Sequence, residues 1–406
     1  MRRVAIITFA IFFFFSCKRE DSISEGQESH FVKFLGNSGA DFGNDVLQTS
    51  DGGYMIVGTV ETAKKGSDIN VTKLNKYGNT QWSQTFGDSL NDSGNSIAST
   101  SDGGFILVGT LEQPNADTDI LLIKINASGV EQWSKVFGGP EADEGISILQ
   151  SSDGGYLIGA NTKNKYTANN LPGRYDLFLM KTNSVGDSTW LSGFGGTFND
   201  VITDVVERNN GGYLLIGTTG TFGRIQADNS DNIFLVQTNA QGDEVDTYTY
   251  GIQDFDDQGN SIEKLPNGDY LISGSIQEAG KVGSNIYLAK IGGGVDDIRN
   301  ADFELSYSSS NGIGNQVSYD AKYSQDGSYI LTGKVQTPTS GFDQILVKVN
   351  TSGAVVWDQV FGGEQDDENQ AVVFTQNSGY AMVGNSYTGL NSIITITKVN
   401  IDGELK

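Results

Sequence analysis

The sequence predicts an all-β chain, a seven-bladed β-propeller of four-stranded antiparallel blades whose N-terminal strand completes the last blade. Three observations carry that expectation. One pattern recurs at intervals of 51 to 59 residues, and self-similarity at such a fixed period marks a repeat architecture. Its apolar runs are short, rich in Ile, Val, Tyr, Phe and Thr, and bounded by Gly, Asn and Asp, as strands are. The chain has 53 glycines and five prolines, and no stretch sustains the 3.6-residue apolar period of a helix.

The second strand of each repeat opens on an aromatic: Tyr54, Phe105, Tyr156, Tyr213, Tyr270, Tyr329 and Tyr380. Eight residues earlier stand Val46, Ile97, Ile148, Val205, Ile262, Ala321 and Val372, each the centre of a first strand. Between them lie Asp51-Gly-Gly, Asp102-Gly-Gly, Asp153-Gly-Gly, Asn210-Gly-Gly, Asn267-Gly, Asp326-Gly and Asn377-Ser-Gly, residues that supply the positive φ of tight hairpin turns. A third strand carries Lys73, Lys124, Lys181, Lys290, Lys348 and Lys398, with Gln237 in the fourth repeat. This periodicity implies packed stems with amines reaching a wet edge. A further Gly turn leads to a fourth strand opening on Trp82, Trp133, Trp190, Phe303 or Trp357, and the fourth repeat departs at Asp246. The seventh repeat stops at 401–406 without a fourth strand. The missing strand is His30-Phe31-Val-Lys-Phe-Leu35-Gly36, with Phe31 in the place of Trp82 and Gly36 in that of Gly87. Pairing it into the last blade closes the ring and removes open edges.

Residues 1–29 read as processing and tether. Arg2 and Arg3 precede an apolar run, Val4 to Ser16, too short to cross a bilayer as a helix. Cys17, the one cysteine of the chain, follows directly. This order resembles a bacterial lipoprotein signal, which implies removal of 1–16 and acylation of Cys17. The polar run 17–29 then reads as a flexible tether; its Lys-Arg-Glu-Asp is similar to export signals of surface lipoproteins in Bacteroidota-like bacteria. Position 18 is Lys, so the familiar inner-membrane retention signal is absent. The propeller spans 30–406. Its Gly-Gly, Asp, Gly-turn, Lys-Leu, Gly and Trp order resembles the bacterial seven-bladed repeats of secreted proteins (SBBP-type). Ile123 to Trp133 also is similar to the quinoprotein-type repeat of outer-membrane assembly lipoproteins. Neither resemblance implies one activity.

The chain carries a net charge of −24, and losing Arg2 and Arg3 takes it to about −26. Such a surface repels a phosphate backbone, so nucleic acid is excluded as a partner. With one cysteine there is no internal disulfide and no thiolate metal site. His30 is the sole histidine and is placed in the closing strand, so neither a Ser-His-Asp triad nor a His-rich centre can be assembled.

Two sets of residues are candidates for binding. Thirteen residues before each aromatic stand Asp41, Asp92, Asp143, Asp200, Asp257 and Asp367, with Gln316 as the exception; Asp68, Asp119, Asp176, Asn232, Asn285 and Asp343 open the third strands. These read either as a carboxylate ring for calcium or as caps that accept backbone N–H bonds in their own loops. The second set lies where the repeat breaks, in the loops Asn161 to Tyr175 and Thr219 to Asp231. Tyr166, Arg174, Tyr175, Phe222 and Arg224 could grip an anionic sugar there, or the arginines could pin the loops by ion pairs. No cofactor is expected beyond the calcium alternative. The expectation is a monomeric propeller, lipid-anchored at the bacterial outer membrane, acting as a protein-binding or scaffold module rather than an enzyme. Glycan binding accessory to polysaccharide uptake is the alternative. A glycosidase or lyase would need two non-repeated carboxylates facing a central pocket.

Overall fold

The computed structural model describes residues 30–36, 39–62, 66–115, 117–163, 174–222, 230–252, 255–292, 298–338, 341–376, 379–389 and 391–405. Cys17, Tyr166 and Arg224 lie outside them, as do the segments 1–16 and 17–29.

The described strands form seven four-stranded antiparallel sheets. The first, β1 (Phe31–Leu35), stands apart. Blade one is β2 (Phe42–Gln48), β3 (Tyr54–Glu61), β4 (Ser67–Leu74) and β5 (Thr80–Phe86), paired in that order. Strands β6 to β25 repeat the arrangement through five more blades. Blade seven is β26 (Asp367–Thr375), β27 (Gly379–Thr388) and β28 (Asn391–Asn400), and its fourth strand is β1. Phe31 pairs with Lys398 and Leu35 with Ile394, the register in which Trp82 pairs with Lys73 and Phe86 with Ile69. The N-terminal segment is thus the missing strand. His30 falls just ahead of β1 rather than within it.

The core lies between consecutive sheets. Met55, Val57, Ile69 and Val71 of blade one pack on Ile97, Leu107 and Ile123 of blade two, and Phe31 and Leu35 complete the cluster between blades seven and one. Middle strands have a neighbouring blade on both faces, so β3 is buried from Tyr54 to Val60 and reads as a continuous apolar run. At the outer rim each blade grips the next through one contact. The Trp82 ring sits where a Cβ on Gly129 would meet it at 2.7 Å, and Trp133 stands likewise over Gly186, Trp190 over Gly242 and Trp357 over Gly403. Gly129 has φ +78°, so glycine is required there twice, for the turn and for the ring. The closing strand obeys the same rule, with Phe31 over Gly78. Blade four departs from it at Asp246, which pairs with Arg299 of blade five, while Tyr250 Oη donates to the Ile298 carbonyl at 2.9 Å.

The third-strand lysines have packed stems, and the amines of Lys73, Lys124, Lys181 and Lys348 turn back to the hairpin of their own blade, where the turn aspartates are exposed. Lys73 Nζ lies 3.0 Å from Asp51, 2.9 Å from Thr49 Oγ1 and 3.0 Å from the Leu74 carbonyl. Lys124, Lys181 and Lys348 meet Asp102, Asp153 and Asp326 in the same way. The ammonium needs donors' partners inside a buried strand, and the turn aspartate is the nearest acceptor. Asp51 responds: burial pushes its carboxyl up, but the Thr49 hydroxyl, the Gly53 N–H and Lys73 outweigh it and hold the pKa at about 2.

Removing residues 30–36 should leave β28 as an open edge and uncover the cluster between blades seven and one. Thermal melts and light scattering should then show a lower melting temperature and concentration-dependent aggregation. An unchanged melting temperature would mean that β1 does not close the ring.

Candidate functional site

Each first strand carries a β-bulge at one repeated place. The register shifts between Gly43 and Asp45, Gly94 and Ser96, Gly145 and Ser147, Ile202 and Asp204, Gly259 and Ser261, Ser318 and Asp320, and Asn369 and Ala371. A bulge re-aims the side chains beside it. Here the extra residue and the one after it line a polar axial cavity of about 150 Å³. The position after the bulge reads Asp45, Ser96, Ser147, Asp204, Ser261, Asp320 and Ala371 around the ring. These three aspartates are the non-repeated carboxylates that sequence comparison at the loops does not reveal. Aligning the repeats nine residues before each aromatic would have shown them, but a strict two-residue alternation assigns those positions to the wrong faces.

The aspartates join blades. Asp45 accepts from Ser96 Oγ at 3.1 Å and Ile97 N at 3.0 Å in blade two. Asp204 accepts from Ser147 Oγ at 2.8 Å in blade three and Ile262 N at 3.1 Å in blade five. Asp320 accepts from Ser261 Oγ at 2.9 Å and, in blade seven, from Val372 N at 3.0 Å. The bulged residues add a second tier: Asn44 donates to the Gly94 carbonyl at 2.8 Å, Asn95 to Gly145 at 2.7 Å, and Asn260 to Ser318 at 2.9 Å. Lys322 lies 2.8 Å from Asp320 and 3.6 Å from Glu263. Burial would lower its pKa, but Asp320, Glu263 and Asp204 raise it, so the amine stays charged. One lysine does not neutralise the group. Burial pushes Asp45 up to about 6 against the Ile97 N–H and Lys322, and it raises Asp204 and Glu263 too. The cavity has room for a few waters at roughly 30 Å³ each and not for a sugar.

The repeated aspartates act as loop caps. Asp92 accepts from Asp88 N at 3.1 Å and Glu112 N at 3.0 Å. Asp257 accepts from Ile252 N and Gln277 N, Asp367 from Gly363 N, Asp143 from Gly139 N and Asp41 from Glu61 N. Asp200 takes Gly196 N and the hydroxyls of Thr219 and Thr221. Gln316 does the same work with its amide oxygen, 2.8 Å from Ser309 N. Among the described residues no three His, Cys, Asp or Glu side chains converge on a metal-sized site.

Of the rim candidates, the structure describes Arg174, Tyr175 and Phe222. Arg174 is exposed. Tyr175 Oη donates to Glu144 at 2.6 Å, and the Lys163 ammonium lies 4.5 Å from its ring centre. Phe222 stacks on Phe234 with centroids 5.0 Å apart. Both rings therefore have partners within their own blades.

A larger cavity, about 500 Å³, opens between blades six and seven. Val32, Phe34, Phe361, Tyr387 and Leu405 form its walls, with Glu364 and Asp367 also lining it. In β1, Val32 is 41% exposed and Phe34 61%. The corresponding positions are Ser83 and Thr85 in blade one, Thr247 and Thr249 in blade four, and Glu304 and Ser306 in blade five. Blades two, three and six place a single large apolar residue there, Val136, Leu191 and Val360. The seam strand alone has two.

No protein-family model matches the chain. It is 25% identical over 195 residues to the regulatory protein FlaEY of Caulobacter vibrioides, covering 43% of this chain and 20% of that one. The chain thus spans about a fifth of that curated relative. Among solved structures it resembles puromycin hydrolase, with TM-score 0.54 and 11% identity over 86% of this chain and 50% of that one. It also resembles the Pan2 WD40 domain of Neurospora crassa, with TM-score 0.52 and 8% identity over 92% and 97%. At these identities the likeness is one of fold.

Four carboxylates with shifted pKa values make stability depend on pH in two windows. Asp45 and Asp257 have folded pKa values of about 6, above the usual 3.8, so the native state binds more protons than the unfolded chain between those values. Stability therefore falls as pH rises from about 4 to 6. Asp51 and Asp102, held near 2, act oppositely, and their contribution is lost as pH falls from about 4 to 2. Melting temperature should peak near pH 4, and Asp45→Asn should flatten the decline above it. A melting temperature that rises from pH 4 to 6 would contradict this assignment.

Proposed function

We propose that this chain is a binding module of the bacterial envelope, held to the outer membrane by acylation of Cys17, and that it docks a partner protein in the groove along its closing strand. The observation that carries the reading is the apolar pair Val32 and Phe34, exposed at the seam where every other blade has at most one large apolar residue. Burying them fully would contribute roughly 1.5–3 kcal/mol each, enough to make them anchors of an interface. The groove is lined by Glu364 and Asp367, and the chain carries −24. The partner that fits is an extended segment alternating apolar and basic side chains. β1 ends its sheet, so such a segment could also add main-chain bonds along the free edge.

A scaffold role rather than catalysis is supported by the axial cavity. It is smaller than a substrate pocket of 300 Å³ or more, and its aspartates are engaged in holding blades together. The likeness to the regulatory protein FlaEY supports a regulatory setting, on the share of sequence that matches.

Calorimetry should show binding of a peptide of about ten residues alternating Leu and Lys, and no binding of its Leu and Glu counterpart. Replacing Val32 and Phe34 together with serine should weaken the first at least tenfold. Equal affinity in that double variant would remove the basis of the proposal. For the anchor, Cys17→Ser should abolish labelling by radioactive palmitate and move the protein from the membrane to the soluble fraction. Retention of the label would refute acylation at Cys17.

A further inference from the structure

We infer that a hard divalent cation, calcium by its ligand chemistry, binds at the junction of blades one and two, bridging Asp68 and Asp92. The inference is independent of the docking groove. At each junction the residue opening a third strand faces the loop-capping residue of the next blade across the turn that ends the fourth strand. Four junctions set carboxylate against carboxylate: Asp68 and Asp92, Asp119 and Asp143, Asp176 and Asp200, and Asp343 and Asp367. Two of the third-strand acids have a donor supplied by the loop before them. Gln113 Nε2 lies 2.7 Å from Asp119, and Thr337 Oγ1 lies 2.7 Å from Asp343.

Asp68 has none. It is 5% exposed, and its Oδ1 is enclosed without a hydrogen-bond partner. The residue equivalent to Gln113 is Thr62, whose hydroxyl is spent on the Gly66 carbonyl at 3.1 Å. A buried carboxylate oxygen with no donor carries a desolvation cost that a cation would offset, and its neighbour is buried as well. Asp92 is 0% exposed, and its pKa is raised by burial first and then by Asp88 and Asp68.

The geometry suits a cation. A Cβ built on Gly87 would lie 2.5 Å from Asp68 Oδ1 and 2.5 Å from Asp92 Oδ2. The two oxygens are therefore within about 5 Å of each other, a span that one calcium ion with bonds of roughly 2.3–2.6 Å can bridge. Gly87, with φ +144°, is the residue that lets both approach. Asp88 adds negative potential from the same turn while its Oδ1 takes Leu90 N at 2.8 Å. No third acid converges, so the affinity expected is that of the weak sites of extracellular modules, about 10⁻⁴–10⁻³ M.

The test is a calcium titration of the whole protein after chelator treatment, at pH 7 and constant ionic strength, followed by melting temperature and calorimetry. A saturable rise in melting temperature with about one ion per chain is expected. Asp68→Asn should abolish the rise and leave the calcium-free protein no less stable, because the isosteric amide relieves the repulsion. Asp119→Asn, at the junction already supplied with a donor, should keep the rise. Three results would each overturn the assignment: no saturable heat, an undiminished response in Asp68→Asn, or an equal rise with potassium alone.

Discussion

The pairing of β1 with β28 is the contact on which the rest of the molecule depends. It joins residues more than 350 positions apart in sequence, and the entropic cost of closing so long a loop grows only slowly with its length. Its return is large because it acts twice. The strand covers the edge of β28, and it carries Phe31 and Leu35 into the cluster between the last blade and the first. Without it blade seven still packs on blade one through Ala371, Val383 and Ile396, but that junction loses Phe31 and Leu35 and the last blade is left with three strands.

Around that ring the polar groups form two tiers with different logic. The loop-capping aspartates recur in six of seven blades because every inter-blade loop offers the same unpaired N–H groups, and Gln316 shows that an amide oxygen serves as well. The axial residues do not recur. Asp45, Asp204 and Asp320 alternate with serines and an alanine because one carboxylate reaches donors in an adjoining blade or in both neighbours. A carboxylate at every blade would crowd seven charges around one axis, and Lys322 is the one basic side chain lining that cavity. Burial raises the pKa of both Asp45 and Asp204, and at Asp45 the Asp320 carboxylate adds to it.

The seam also explains why one surface differs from the rest. Fourth strands drawn from the middle of the chain follow the repeat and mostly face solvent with Ser, Thr or charged residues. β1 is drawn from the other end of the chain and carries Val32 and Phe34 instead. A place that sits at a break in the repeat and beside the proposed anchor is where selection for a partner can act without disturbing six other blades.

The number of blades, the strand order within each, the hairpin turns and the closing register were all legible in the residues. Each rests on local chemistry repeated seven times: Asp-Gly and Asn-Gly turns, an aromatic eight residues beyond a buried aliphatic, and Phe31 matching Trp82. What the residues did not disclose depends on direction and distance. The bulge turns Asp45, Asp204 and Asp320 onto the axis, and a two-residue alternation cannot register an extra residue. The bond from Lys73 to Asp51 spans 22 positions and becomes visible only when two strands lie side by side. The groove at Phe34 exists because blade six happens to stand opposite it. Short-range preference sets the elements, whereas burial and charge compensation among distant segments are properties of the closed ring.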